Sequence, residues 1–171
     1  ATGTAAVFDT GANADELLAA IEELGVKVEA IFLTHTHHDH IIELDRVVAA
    51  TGGPPVYVSE REPIPGARSI TPGKSFQIGG LNIETRLTAG HSIGGISYVI
   101  SGLARPVVIV GDALFCSSMG GGIVSFAQAL ECNRKELFTL PENCVVCPGH
   151  GPVTSIGEEK AHNPFYPEFK R

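Results

Sequence analysis

The sequence has no run of apolar residues approaching the roughly 20 that a membrane-spanning helix needs, so no membrane association is expected. It has no internal repeat and no low-complexity linker, which excludes a collagen-like chain or a coiled coil. Basic residues are scarce. Twelve Lys+Arg against nineteen Asp+Glu give a formal net charge of −7, the wrong balance for binding a phosphate backbone, and no nucleic-acid partner is expected. Cysteine is too sparse for a disulfide framework: Cys116, Cys132, Cys144 and Cys147 are the only four. The opening ATGTAAVFDTG lacks a charged segment followed by an apolar one, so no export signal is expected, and a reducing, cytoplasmic setting fits best. The triple glycine at 120–122 lacks the Lys and Ser/Thr of a phosphate-binding loop and reads instead as a place where a loop passes close to something else.

What is present is a chain of 171 residues, 43% hydrophobic and 18% charged, long enough for one domain over residues 1–171 with a substantial core. Apolar periodicity predicts helices over 14–24 (with Asn13 as cap and Gly25 as stop), 41–50, 126–138 and 158–162. Short β-like runs fall at 7–9, 28–33, 56–58, 75–78, 81–87, 96–100, 107–110 and 145–146. Strands and helices mixed in this order predict a layered α/β (α+β) domain with its chemistry in loops along one edge.

The informative stretch is Thr34-His35-Thr36-His37-His38-Asp39-His40, which follows an apolar strand directly. In extended backbone His35 and His37 point to the same side. Asp39 and His40 fall at the turn into a helix, where they diverge toward a neighbouring position. Imidazole and carboxylate are the donors that suit Zn²⁺ or Fe²⁺. Later polar residues sit beside glycine at the ends of apolar runs: His91 in TAGHS, Asp112 in VGDA and His150 in CPGHGP. Singly each would pass for a turn or cap. Together they give the order HxHxDH…H…D…H.

These motifs, with VFDTGA at the start, TAGHSIGGISY in the middle and GEEKAHNPF at the end, resemble the metallo-β-lactamase superfamily, specifically its small glyoxalase-II-like hydrolases. The resemblance implies an αββα sandwich with a metal centre at one edge. The strand that usually precedes VFDTGA has almost no counterpart here. Carried onto this chain, His35, His37 and His91 would hold one divalent ion, Asp39, His40 and His150 a second, and Asp112 would bridge them. Asp39 would also orient the nucleophile. The ions would be Zn²⁺, with Fe²⁺ or Mn²⁺ as alternatives, and the substrate a small-molecule thioester or related activated ester. Two other readings stay open: a persulfide dioxygenase with one Fe²⁺ on His35, His91 and Asp112, and a metal-binding or nucleic-acid-processing scaffold without catalysis. Glutathione-thioester hydrolases of this family carry a basic, aromatic-containing loop and a Tyr where this chain reads SSMGGG and Gly151-Pro152. Small neutral thioesters are therefore the expected substrates.

The remaining candidates read as structural. Cys144 and Cys147, three apart in a strand, point to opposite faces and have no second pair to complete a site. Cys116 reads as a buried small side chain, His38 as exposed or supporting, His162 as surface or capping, and Tyr98 as core.

Overall fold

The structure, a computed structural model, describes residues 3–170. Two sheets lie face to face with helices outside each. The first has four parallel strands in the order β1-β2-β3-β4: Thr4–Phe8, Lys27–Phe32, Val56–Ser59 and Arg68–Ile70. The second has six, in the order β10-β9-β8-β7-β6-β5: Ser75–Ile78, Leu81–Leu87, Ile96–Ser101, Val107–Gly111, Val145–Pro148 and Thr154–Ser155 for β5 to β10. All its neighbours are antiparallel except β8 and β9. Helices α1 (Asp15–Leu24), α2 (His38–Ile41) and α3 (Leu44–Ala50) join strands of the first sheet. α4 (Phe126–Cys132) and α5 (Ile156–His162) belong to the second half. None of these helices is long and apolar enough to cross a membrane.

Strand alternation divides the apolar residues into three cores, and three cores make four layers. Val7, Ile31, Val47 and Val58 pack with Leu17, Leu18, Ile21 and Leu44 of α1 and α3 on the outer face of the first sheet. Ala30, Phe32, Ile83, Ile96, Tyr98 and Ile100 fill the space between the sheets. Val108, Val110 and Val146 meet Ala129, Leu137, Phe138, Ile156 and Tyr166 outside the second. Val28 and Ala30 share a parity yet face different cores, because the β1–β2 register shifts between Ala5 and Ala6. Phe32 is the hub of the middle layer, with the rings of Phe8, Tyr57, Phe76 and Tyr98 all 5.0–5.4 Å away. Tyr98 is wholly buried there, as expected, and donates its hydroxyl to Leu33 O at 2.6 Å.

The expected helix over 41–50 is instead two, α2 and α3. The carbonyl of His40 accepts from Thr10 N at 2.9 Å, Gly11 N at 3.2 Å and Thr10 Oγ1 at 3.2 Å, so it is diverted from the helical ladder. The expected helix over 126–138 is α4 followed by a π-helical turn, Asn133–Leu137. There Asn133 Nδ2 donates to Ala113 O (2.6 Å) and Tyr166 Oη (2.7 Å), a tertiary anchor with no trace in periodicity.

Candidate metal centre

The carboxyl ends of β1, β2, β6, β8 and β9 open at one edge of the sandwich, and the loops there bring all seven predicted residues together. His35, His37 and His91 place one donor atom each within 4.8 Å of one another, as do His35, His40 and Asp112, and Asp39, His40 and His150. In the first cluster His37 Nδ1 lies 3.1 Å from His35 Nε2 and 3.0 Å from His91 Nε2. In the other, His150 Nε2 is 3.0 Å from Asp39 Oδ2 and 3.6 Å from Asp112 Oδ2. Asp112 stands between the clusters, with Oδ2 3.4 Å from His91 Nε2 and Oδ1 3.3 Å from His40 Nε2.

Backbone neighbours decide which nitrogen each imidazole presents. His91 Nδ1 sits 2.8 Å from the carbonyl of Gly121, which only accepts, so Nδ1 carries the proton and Nε2 faces the cluster. His40 Nδ1 donates to Asp9 Oδ2 at 2.8 Å, again leaving Nε2 inward. Thr34 donates its hydroxyl to Asp9 Oδ2 (2.8 Å) and thereby accepts from His35 Nδ1 at 3.0 Å. Outer partners of this kind fix the ligand orientation in metal sites. The sequence reading missed Asp9 and Thr34 in this role. Their signal was position alone: a polar residue closing an apolar strand, as with Asp112.

The charged groups of the site act strongly on one another. Burial holds the His35 imidazole down to about 4, with the His40 charge adding to the effect. Burial works against protonating His40 too, but hydrogen bonds to Asp112 and Asp9 overcome it and raise the group to about 10. Burial would raise the Asp112 carboxyl; its hydrogen bond and attraction to His40 hold it below the usual range. Even so, His40 Nε2 and Asp112 Oδ1 are buried without a well-formed hydrogen bond. His40 Nε2 and Asp112 Oδ1 face each other at 3.3 Å among converging imidazole and carboxylate groups, a donor set that fits a divalent metal ion.

Close approach is built in by glycine. A Cβ on Gly120 would fall on the carbonyl oxygen of Asp112 and 3.0 Å from His91 Nδ1, in accord with the expected loop passage. A Cβ on Gly149 would strike Asp112 Oδ1 and, at 2.7 Å, His40 Cε1. A cleft of about 490 Å³, walled by Phe8, Leu17, Ile109 and Cys147, reaches Asp39 and His150.

Cys144 is buried in the outer core and Cys147 is half-buried, and neither joins a metal-holding group among the described residues. Cys116 departs from expectation. It is exposed, because the chain turns outward after Phe115 and leaves it in a surface groove with Arg105 and His162. His38 is exposed, and His162 lies on the surface 3.7 Å from Glu158.

A sequence model of the metallo-beta-lactamase superfamily matches residues 1–150. The chain belongs to this superfamily. A probable metallo-hydrolase of Streptococcus pyogenes serotype M6 is 35% identical over 187 residues, covering 94% of this chain and 80% of that protein. Hydroxyacylglutathione hydrolase GloC of Haemophilus influenzae is 26% identical over 185 residues, covering 94% and 86%. Among solved structures, the BLEG-1 B3 metallo-beta-lactamase superposes with a TM-score of 0.87 at 32% identity, covering 96% of this chain and 89% of that one. TTHA1623, solved in a di-iron-bound form, superposes at 0.78 with 28% identity, covering 92% and 87%. The metallo-beta-lactamase sandwich expected from the motifs is therefore the fold of this chain.

Proposed function

We propose that the chain is a dinuclear metallohydrolase that cleaves thioesters or related activated esters of small molecules. The observation that carries the reading is the placement of Asp112 between two donor clusters, with Oδ1 3.3 Å from His40 Nε2 and Oδ2 3.4 Å from His91 Nε2. His35, His37 and His91 would hold one ion, Asp39, His40 and His150 the other, and Asp112 would bridge them. A relative named as a hydroxyacylglutathione hydrolase supports thioester chemistry, and a relative with two irons supports two ions. Zn²⁺ is the metal we assign.

Bound divalent ions supply Lewis acidity toward the scissile carbonyl and bring the pKa of water toward neutrality. The protein's own contribution is placement. Asp39 is half-exposed at the mouth of the site. Its small degree of burial opposes ionisation, but its own backbone N–H and the His40 and His150 imidazoles hold the carboxyl below the usual range. It is thus a charged acceptor at neutral pH, able to orient an attacking water. Asp9, Thr34 and Gly121 O each engage Nδ1 of an imidazole, so the Nε2 atoms of His40, His35 and His91 are already aimed at the site.

Metal analysis of protein purified without added metal, repeated after zinc loading and paired with a thioester panel, tests the proposal. Close to two ions per chain and zinc-dependent thiol release are expected. At most one ion, with iron preferred and oxygen consumed in the presence of a persulfide, would replace hydrolysis with the dioxygenase reading.

A further inference from the structure

Glu62 lies on the connection between β3 and β4, far along the chain from every proposed ligand, and is only 8% exposed. Both of its oxygens are used. Oε2 accepts from Thr36 N at 2.8 Å and Thr36 Oγ1 at 2.9 Å, and Oε1 accepts from Gly94 N at 2.7 Å. Thr36 stands between His35 and His37, and Gly94 is three residues beyond His91. One buried carboxylate therefore joins the two loops whose imidazoles converge in the first cluster. Among the described residues no Lys or Arg forms an ion pair with it. Burial alone would raise its pKa, but the donors of Ser92, Gly94 and Thr36 outweigh burial and hold the carboxyl below its usual value, so it is charged at neutral pH.

We propose that Glu62 is a positioning residue of the metal centre: it sets the separation of the His35/His37 loop from the His91 loop, and with it the affinity of that cluster for its ion. Residues 33–37 and 88–95 belong to no helix or strand. A backbone bond from Ile96 N to Thr34 O at 2.9 Å joins the two segments at their base, and Glu62 adds the ties at Thr36 and Gly94. Zinc–imidazole bonds have a narrow length range, about 2.0–2.1 Å, so a shift of a few tenths of an ångström between the loops costs affinity. The position also demands a carboxylate. Every group facing its oxygens is a donor, and an amide would turn its NH₂ toward one of them.

The inference rests on the proposed ligand assignment, and the test separates the two. Zinc affinity is measured by competition with a fluorescent chelator in two backgrounds. His150→Ala weakens the second cluster and leaves the first to be titrated, and His37→Ala does the reverse. In the His150→Ala background, Glu62→Gln is expected to weaken zinc binding about tenfold and Glu62→Ala more, within the ~10–100-fold range for lost outer-shell partners. In the His37→Ala background both are expected to stay within about twofold, since a merely structural loosening would move both clusters alike. Thr36→Val removes the hydroxyl donor alone, leaves Glu62 in place, and is expected to give a smaller loss confined to the first cluster. It decides the matter if the Glu62 variants do not fold, as judged by thermal unfolding of the metal-free protein. Unchanged affinity in the His150→Ala background, or equal loss in both backgrounds, would overturn the role of Glu62. Failure of the parent protein to bind a second ion would instead overturn the dinuclear assignment.

Discussion

Asp9 adopts a left-handed backbone conformation with φ of 51°, unusual for a residue with a side chain. The turn lets one carboxylate accept from Thr34 N at 2.7 Å, Thr34 Oγ1 at 2.8 Å and His40 Nδ1 at 2.8 Å. It thereby fixes both the start of the His-rich loop and the tautomer of His40. Asparagine tolerates the same backbone region, so Asp9→Asn isolates the charge and the lost acceptor from any backbone strain. We expect Asp9→Asn to weaken metal binding at the Asp39/His40/His150 cluster by about 10–100-fold, with little change in the fold. Titration of the His37→Ala background with zinc measures it, and an affinity within twofold of the parent would show that Asp9 does not act through His40.

At the scale of elements, the loop of the candidate centre that starts at Asp112 is held by α5 and the residues just after it. Glu159, buried midway along α5, accepts from Ser117 N at 3.0 Å and Thr154 Oγ1 at 2.7 Å, and Asn163 Nδ2 donates to Ser118 O at 2.8 Å. These bonds pin the loop that starts at Asp112 and carries Gly121, whose carbonyl orients His91. Within that loop Gly120 has no room for a methyl group, since the nearest atom is backbone rather than the end of a movable side chain. Gly120→Ala is therefore expected to destabilise the protein by about 1–3 kcal/mol, the usual range for overpacking, and to lower metal content per folded molecule. Urea unfolding and elemental analysis read the two effects, and a variant with parent-like metal content would mean that the loop relaxes without moving Asp112 or His91.

Much of this scale was legible in the sequence. The long strands with clear alternation, from Leu81–Leu87 to Val107–Gly111, follow from local pattern, and the convergence of the seven side chains follows from the family resemblance that their order carries. Arg68–Ile70 and Thr154–Ser155 were not legible. A strand of two or three residues is defined by its neighbour's hydrogen bonds, not by its own period. The break between α2 and α3 and the π turn escaped for a related reason. Each is set by a tertiary hydrogen bond, from Thr10 and Gly11 to His40 O and from Asn133 to Ala113 O and Tyr166 Oη. Glu62 and Asp9 escaped because a carboxylate that accepts from backbone looks, in a sequence, like any surface acid.

At the scale of the whole molecule, charge and surface chemistry bear on which substrate reaches the centre. The formal net charge is −7, and two divalent ions would offset only four of the seven. The segments around the proposed ligands, 33–43, 88–95, 111–125 and 147–153, contain no Lys or Arg. Arg61 lies beside one of them, where a Cβ on Gly94 would meet its Cβ at 2.7 Å. All three tyrosines are committed to cores: Tyr57 and Tyr98 between the sheets, Tyr166 outside the second. What these segments leave exposed instead is apolar, and we take it as the rim an acyl chain would meet. Ile93, two residues past His91, is 57% exposed, and Ile123 and Val124, just past Gly121, are 70% and 51% exposed. Glutathione carries two carboxylates and a net negative charge, which such a rim does not complement, whereas an aliphatic acyl chain would cover it at about 0.8 kcal/mol per buried CH₂. We therefore expect kcat/KM for neutral N-acetylcysteamine thioesters to rise with acyl length from acetyl to hexanoyl. S-D-lactoylglutathione is expected to saturate weakly, and Ile123→Ser to flatten the dependence on chain length while leaving acetyl turnover nearly unchanged. A low KM for S-D-lactoylglutathione unmatched by the neutral series, raised by Arg61→Ala, would show that a single arginine suffices to build an anionic subsite and would reverse the assignment of the rim.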